Sequence, residues 1–268
     1  MKILFLGDIV GPAGCKAIKN FLPNLIQKNQ IDFVIVNGEN AANEGVGITE
    51  KIVNDLFKSG VNVITTGNHV WDQKETIEHI SRENKLLRPE NLTSLSPGKG
   101  FQIYHTPLGI KIGVLNLMGN IFMKKCDNVF ETAKNFLNKY KIKKDMDFLV
   151  VDFHGEITSE KMAIGHFFDG HATLVIGTHT HVPTSDCRIL NNGTAYQTDA
   201  GMCGDYDSVI GMDKTNSLKK FFNENAIKHF PAIGEVSLSG AIIEGDAQTG
   251  LAKSIRQFIF GGVLEEKN

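Results

Sequence analysis

Short apolar runs at residues 3–6, 33–36 and 61–65 are rich in Ile, Leu, Val and Phe and stop at Gly, Asn or Asp. Runs of this length and composition predict strands covered on both faces. Between them, residues 13–27 and 49–58 space their apolar side chains three and four apart, which predicts two helices and a β-α-β-α-β start with parallel strands. Residues 101–105 and 111–117 flank the turn Pro107-Leu108-Gly109 and predict a hairpin inside a sheet of mixed direction. A helix is expected at 128–140. The β-α-β theme then returns as 148–153, a helix at 159–168, and 174–177. A second hairpin is predicted from 187–190 and 194–198 around Asn191-Asn192-Gly193, and there a second sheet is expected to begin. A glycine-rich loop at 201–212, a short helix at 216–223, and two half-buried antiparallel strands at 236–243 and 253–260 complete the chain. The layout implies an α/β protein of two mixed sheets face to face with helices outside. With no internal repeat and no linker, residues 1–268 read as one domain.

Composition narrows the possibilities. The chain has 268 residues, 41% of them hydrophobic, enough for a large core and incompatible with disorder. Its 28 basic and 30 acidic residues give a net charge of −2, which removes the electrostatic footprint of a duplex-DNA-binding protein. The first apolar run is cut short by Asp8 and no later run reaches spanning length, so neither a signal peptide nor a membrane segment is expected and the location reads as cytoplasmic. Cys15, Cys126, Cys187 and Cys203 are scattered without a Cys-x-x-Cys pair and are expected to be reduced, mostly buried thiols.

The chemistry lies at the carboxyl end of each apolar run. Asp8 comes after the first run, Glu39 and Asn40 after the second, Asn68 and His69 after the third, then His154, and finally His179 and His181. In an open α/β sheet the carboxyl ends of strands gather at one crevice, so five strands deliver eight polar side chains to one place. Alone, Asp8 or Asn68 would serve equally well as a helix cap, and Asn40 as a turn residue. Glu39 is harder to account for that way, because a carboxylate directly after Phe-Val-Ile-Val-Asn-Gly is costly to bury unless positive charge meets it. If extended, His179-Thr180-His181 would turn both rings to one side. Three imidazoles, two carboxylates and two amides, with no thiolate, exceed the needs of one zinc ion and suit two hard or borderline ions, Mn²⁺, Fe or Zn²⁺, sharing a carboxylate. Gly7, Gly38, Gly67 and Gly177, which precede these residues, are expected to allow sharp turns and close approach. The remaining histidines, His79, His105, His166, His171 and His229, read as surface or supporting groups. Trp71 and Asp72 could shape the pocket, with helix packing and capping as equal alternatives.

Other nucleotide chemistries lack support. Gly7, Gly11 and Gly14 have the wrong spacing for a dinucleotide fingerprint, and Asp8 would repel a pyrophosphate. Neither a Gly-x-x-x-x-Gly-Lys-Ser/Thr loop nor a Gly-x-Ser-x-Gly elbow occurs.

In their order and spacing, Gly7-Asp8, Gly67-Asn68-His69, Phe153-His154-Gly155 and Gly177-Thr178-His179-Thr180-His181 resemble the motifs of the calcineurin-like metallophosphoesterases. More narrowly, Gly38-Glu39-Asn40-Ala41-Ala42, Thr198-Asp199-Ala200-Gly201-Met202 and Tyr206-Asp207-Ser208-Val209-Ile210-Gly211-Met212 look like the YmdB family of bacterial phosphodiesterases. The similarity spans nearly the whole chain. It implies a four-layer α/β/β/α sandwich, a di-iron or di-manganese centre and 2′,3′-cyclic nucleotides such as 2′,3′-cAMP as substrates. By the same resemblance Glu39 bridges the metals, Asp8, Asn40 and His181 surround one ion, and Asn68, His154 and His179 surround the other. His69 is left to act on substrate. Val10 departs from the broad pattern, since many members carry a histidine there; the ion at Asp8 then has fewer nitrogen ligands.

The expected mechanism is attack by a hydroxide held between two cations that also neutralise the phosphate, with His69 as general acid for the departing ribose oxygen. A phosphomonoesterase or nucleotidase is the alternative enzyme, and a metal-containing regulatory protein acting through a partner is the alternative class. Oligomeric state stays open, a homo-oligomer included.

Overall fold

The computed structural model describes residues 1–93, 95–225 and 228–267. Sheet one has the order β12-β11-β10-β1-β2-β3, where β1 is Lys2–Val10, β2 Phe33–Asn40, β3 Val63–Thr65, β10 Met202–Asp205, β11 Val236–Gly245 and β12 Ala252–Phe260. Sheet two runs β4-β5-β6-β7-β9-β8, from Phe101–His105, Lys111–Met118, Phe148–His154, Leu174–Thr178, Ala195–Gln197 and Arg188–Ile189 respectively. The second sheet therefore begins at residue 101, and the hairpin at 188–197 forms its far edge. The last two strands return to sheet one, where β11 lies antiparallel to β1 with Lys2 opposite Glu244. Within the loop expected at 201–212, β10 pairs in parallel with the end of β1.

Alternation along each strand builds the layers. Ile3 and Phe5 of β1, Phe33 and Ile35 of β2, Phe148 and Val150 of β6, and Leu174 and Ile176 of β7 share one buried cluster between the sheets. Leu4, Leu6, Val34 and Val36 point the other way, onto Ile18 and Leu22 of α1 (Gly11–Asn29), Val53 and Leu56 of α2 (Glu50–Lys58) and Ile80 of α3 (Lys74–Arg82). On the far side, Leu115, Leu149, Val151 and Val175 pack against Ala133 and Phe136 of α4 (Val129–Lys139) and Ile164 of α5 (Thr158–Phe167). Helices, sheet, sheet and helices make the expected four layers. With both faces covered, the strands read as continuous apolar runs rather than alternating ones. Among the described residues no helix is long and apolar enough to cross a membrane.

The face between the sheets changes character along each strand. It is apolar where the parallel strands start and polar where they end: Thr65 follows Val63, Asp152 and His154 follow Val150, and Thr178 follows Ile176. Parity alone would send Asp8 to the helix side with Leu4 and Leu6. The register of β1 against β2 shifts between Leu6 and Asp8, a bulge that turns the carboxylate toward sheet two. Gly7 makes this possible, because a Cβ there would sit 1.9 Å from the Gly201 carbonyl oxygen.

Phe148 fills the space beneath Gly245 of the opposite sheet and is fully buried. Phe148→Ala is expected to destabilise the protein by about 3–5 kcal/mol, because the cavity lies between two sheets that cannot both relax into it. Urea unfolding would show a lower midpoint with an unchanged slope; a midpoint equal to that of the parent would contradict this.

Candidate metal centre

Seven of the eight side chains expected to gather do converge, and the eighth residue, His69, joins them through its main-chain N–H. His154 Nε2 lies 2.9 Å from Glu39 Oε1, 3.1 Å from Asn68 Oδ1 and 3.1 Å from His179 Nδ1. His181 Nε2 lies 3.3 Å from Asn40 Oδ1 and 3.9 Å from Asp8 Oδ1. The His179 N–H donates to Asp8 Oδ2 at 3.1 Å, and the His69 N–H donates to Glu39 Oε2 at 3.0 Å. Asp8, Glu39, Asn40 and His154, expected just past their strands, lie instead within the last residues of them, Asp8 in β1, Glu39 and Asn40 in β2 and His154 in β6.

The outward nitrogens of the imidazoles define what the inward ones offer. His179 Nε2 lies 3.0 Å from Glu156 Oε2, and His181 Nδ1 lies 2.7 Å from the Ile210 carbonyl oxygen. Both partners can only accept, so these ring nitrogens carry the protons. His154 Nδ1 is 2.9 Å from Thr178 Oγ1, whose own hydrogen goes to Asp152 Oδ1 at 2.7 Å, so Nδ1 is again the donor. Each ring thus turns its other nitrogen inward. Asn40 is oriented likewise, its Nδ2 donating to the Gly45 carbonyl at 2.8 Å and its Oδ1 facing His181.

Inward-facing acceptors crowd this crevice, and Asp8 Oδ1 is buried without a hydrogen-bond partner. Burial pushes the Asp8 carboxyl up. Burial pushes Glu39 the same way, but the adjoining His154 and the His69 N–H override it and hold Glu39 at about 2. For His154 burial acts downward, and the Glu39 carboxylate overrides it to raise the ring to about 9. His179 is lowered to about 3 by burial and by the neighbouring His154 charge. A single proton shared by Glu39 and His154 leaves Asn68, His179 and Asp8 unsatisfied. A multivalent cation would satisfy them together, and Glu39, His154 and His179 already offer ligand atoms within 4.8 Å of one another. The residues fit metal ions.

The connection from β7 is not extended at His179-Thr180-His181, so the condition under which both rings would fall to one side is not met. His179 and His181 both have positive φ, 103° and 66°, a conformation that costs energy outside glycine. Asp199 holds it, accepting from the Thr180 N–H at 3.2 Å, from Thr180 Oγ1 at 2.8 Å and from the buried Lys161 ammonium, which also donates to the Thr178 carbonyl. The glycines before the donors have no positive φ, so they serve close approach and not sharp turning. At Gly67 a Cβ would lie 2.1 Å from His154 Cδ2 and 2.4 Å from Glu39 Oε2.

His69 stands apart. Its Nδ1 is 2.7 Å from Asp72 Oδ2, so Asp72 orients an imidazole and does not cap α3, whose N-cap is Gln73. His79 is buried against α2 with Nδ1 3.5 Å from Glu50, while His105, His166, His171 and His229 are exposed. Of the cysteines, all free, only Cys203 is fully buried. Glu156, Asp152, Thr178 and Lys161 were not singled out from the sequence. Only Glu156, a carboxylate two residues beyond His154, carried a signal there.

Residues 4–258 match the family described as YmdB-like protein. The chain is similar to a 2′,3′-cyclic-nucleotide 2′-phosphodiesterase of Bacillus subtilis (strain 168), with 43% identity over 259 residues that cover 97% of each. Among solved structures it is similar to a hypothetical protein from Thermus thermophilus, at 35% identity and a TM-score of 0.90, covering 98% of this chain and 100% of that one. It is also similar to a structure described as a novel phosphatase from Mycoplasma pneumoniae, at 37% identity and a TM-score of 0.89, covering 97% and 93%.

Elemental analysis after loading with Mn²⁺ is expected to give two ions per chain, since the donors outnumber what one ion takes. His181→Ala should retain one, and Glu39→Gln should weaken both. Saturation of the parent at one equivalent, or equal loss of both ions in His181→Ala, would contradict the arrangement.

Proposed function

Because the chain belongs to the YmdB-like protein family, we propose that it is a metal-dependent phosphodiesterase that hydrolyses 2′,3′-cyclic nucleotides. The observation that carries this is the set of inward-turned acceptors of His154, His179 and His181 around the unpaired Asp8 oxygen. The Bacillus subtilis relative supports the substrate class. In this reading Asp8, Asn40 and His181 would hold one ion, Asn68, His154 and His179 would hold the other, and Glu39 would serve both. Nitrogen and oxygen donors without thiolate favour Fe or Mn, with Zn also compatible. Bound there, the ions supply Lewis acidity, neutralising the phosphate and acidifying water.

The chain's own residues do the rest. Glu39 Oε2 fixes the His69 main chain while Asp72 holds its Nδ1, which leaves Nε2 as the ring nitrogen to serve the substrate. That nitrogen delivers a proton to the ribose oxygen as its bond to phosphorus breaks and a water oxygen bonds to phosphorus in its place, leaving a nucleoside monophosphate. Thr178, Glu156 and Ile210 hold the three other imidazoles in the tautomer that keeps their inward nitrogens free of protons. Phosphomonoester hydrolysis at the same centre is the second reading, favoured by the Mycoplasma pneumoniae structure described as a phosphatase.

A screen of metal-loaded protein over 2′,3′-cyclic nucleotides, 3′,5′-cyclic nucleotides and monoesters is expected to show fastest turnover of the first class, abolished by chelation. Faster turnover of monoesters would instead establish the second reading. His69→Ala should keep its metals and lose about 10²–10⁴-fold on a cyclic nucleotide, whose leaving oxygen is strongly basic, but far less on a nitrophenyl diester, whose phenolate leaves unaided. Equal losses on both substrates, or loss of metal, would remove His69 from the role of proton donor.

A further inference from the structure

The residues described so far hold ions, phosphate and proton, and none of them addresses the nucleobase. Between β5 and α4 the loop at 119–127 leaves sheet two at the same strand ends as the metal-type donors. Its base is tied down. The Gly119 N–H donates to the His154 carbonyl at 2.9 Å, and the Asn120 and Ile121 N–H groups donate to the Glu160 carboxylate at 2.9 and 3.4 Å. The Asn120 side chain closes the neck, donating to the Asp127 carbonyl at 3.0 Å and accepting from the Val129 N–H at 2.9 Å. The tip is directed toward the proton donor, because Lys124 Nζ lies 3.3 Å from Asp72 Oδ1 while the other Asp72 oxygen faces His69. As an exposed pair, this contact orients the tip more than it stabilises the fold.

At that tip Phe122 is 86% exposed and has φ of +58°. Both features are unfavourable in isolation: a phenyl ring gains by leaving water, and a bulky side chain disfavours the left-handed region. A loop so firmly tied at its base holds this ring in solvent two residues from Lys124, whose ammonium reaches the carboxylate that orients His69. Strain and exposure that coincide next to a reacting centre indicate use by a ligand.

We propose that Phe122 is the platform on which the base of the substrate stacks, a role that rests on the cyclic-nucleotide reading. In a 2′,3′-cyclic nucleotide the base stands one ribose away from the phosphorus and projects outward when the phosphate is held at the ions. An aromatic face meets every base there, so recognition requires a base without selecting which one. Asp72 then has two partners with one purpose, His69 for the proton and Lys124 for the platform.

The test compares metal-loaded parent, Phe122→Ala, Phe122→Leu and Phe122→Trp on 2′,3′-cAMP and on the 2,3-cyclic phosphate of methyl riboside, which has no base. Phe122→Ala is expected to lower the ratio of kcat/KM for nucleotide over base-free substrate by about five- to a hundredfold, chiefly through KM, and Phe122→Trp to preserve the ratio. An unchanged ratio in Phe122→Ala, or full preference retained by Phe122→Leu, would overturn the stacking role while leaving the phosphodiesterase reading intact. A change in oligomeric state of Phe122→Ala by light scattering would reassign the ring to a subunit contact and also overturn it. A parent enzyme that cleaves the base-free ester but no cyclic nucleotide would overturn the substrate reading and this inference together.

Discussion

Groups that carry lone pairs repel one another when water is excluded, and the crevice at the strand ends brings seven such side chains together. The rest of the site is organised to keep them there. A carboxylate, a hydroxyl and a main-chain carbonyl each take the outward proton of one imidazole, so the one hydrogen these rings turn into the crevice is that which His154 shares with Glu39. The Lys161–Asp199 ion pair, itself buried, holds the strained connection that presents two of those rings. Breaking one member of such a pair leaves an uncompensated charge in the interior, so the site and the local fold depend on the same bond.

The sheets supply the force that holds this arrangement in place. Their shared face is apolar over most of its length, and its burial offsets the desolvation of the polar end. Donors come from both sheets: Asp8, Glu39 and Asn68 from sheet one and its loops, His154, His179 and His181 from sheet two. A shift of one sheet against the other would separate them. The large aromatic contacts near the base of the sandwich, Phe148 under Gly245 among them, are therefore part of what sets the distances at the top.

Much of this is legible in the sequence. Apolar runs of strand length with a polar residue at each end identify both the layers and the donors, because periodicity and the ends of runs are local signals. Sheet membership is not local. Only pairing across most of the chain places Val236–Gly245 beside Lys2–Val10, and so the second sheet begins elsewhere than the local pattern predicts. Met202–Asp205 is hidden by glycines that exist to let backbones meet, and Lys74–Arg82 by a helix face with only Ile77 and Ile80 to mark it. Hydrogen-bond partners such as Glu156 and Asp72 lie in irregular segments, where sequence carries no periodicity to read. The geometry of His179-Thr180-His181 escapes for the same reason, since only the tertiary hold of Asp199 explains its left-handed residues.

Strand order also constrains the order of events during synthesis. The central position of β1, between β2 on one side and β10 and β11 on the other, means that this strand, once synthesised, lacks half its partners until residues near 245 have emerged. Until then its free edge is open to pairing with other chains. Such long-range closure is slow compared with local folding. The strand that carries Asp8 is accordingly held on both sides only after β10 and β11 have joined it, so a chain without them would leave one candidate donor on an open edge.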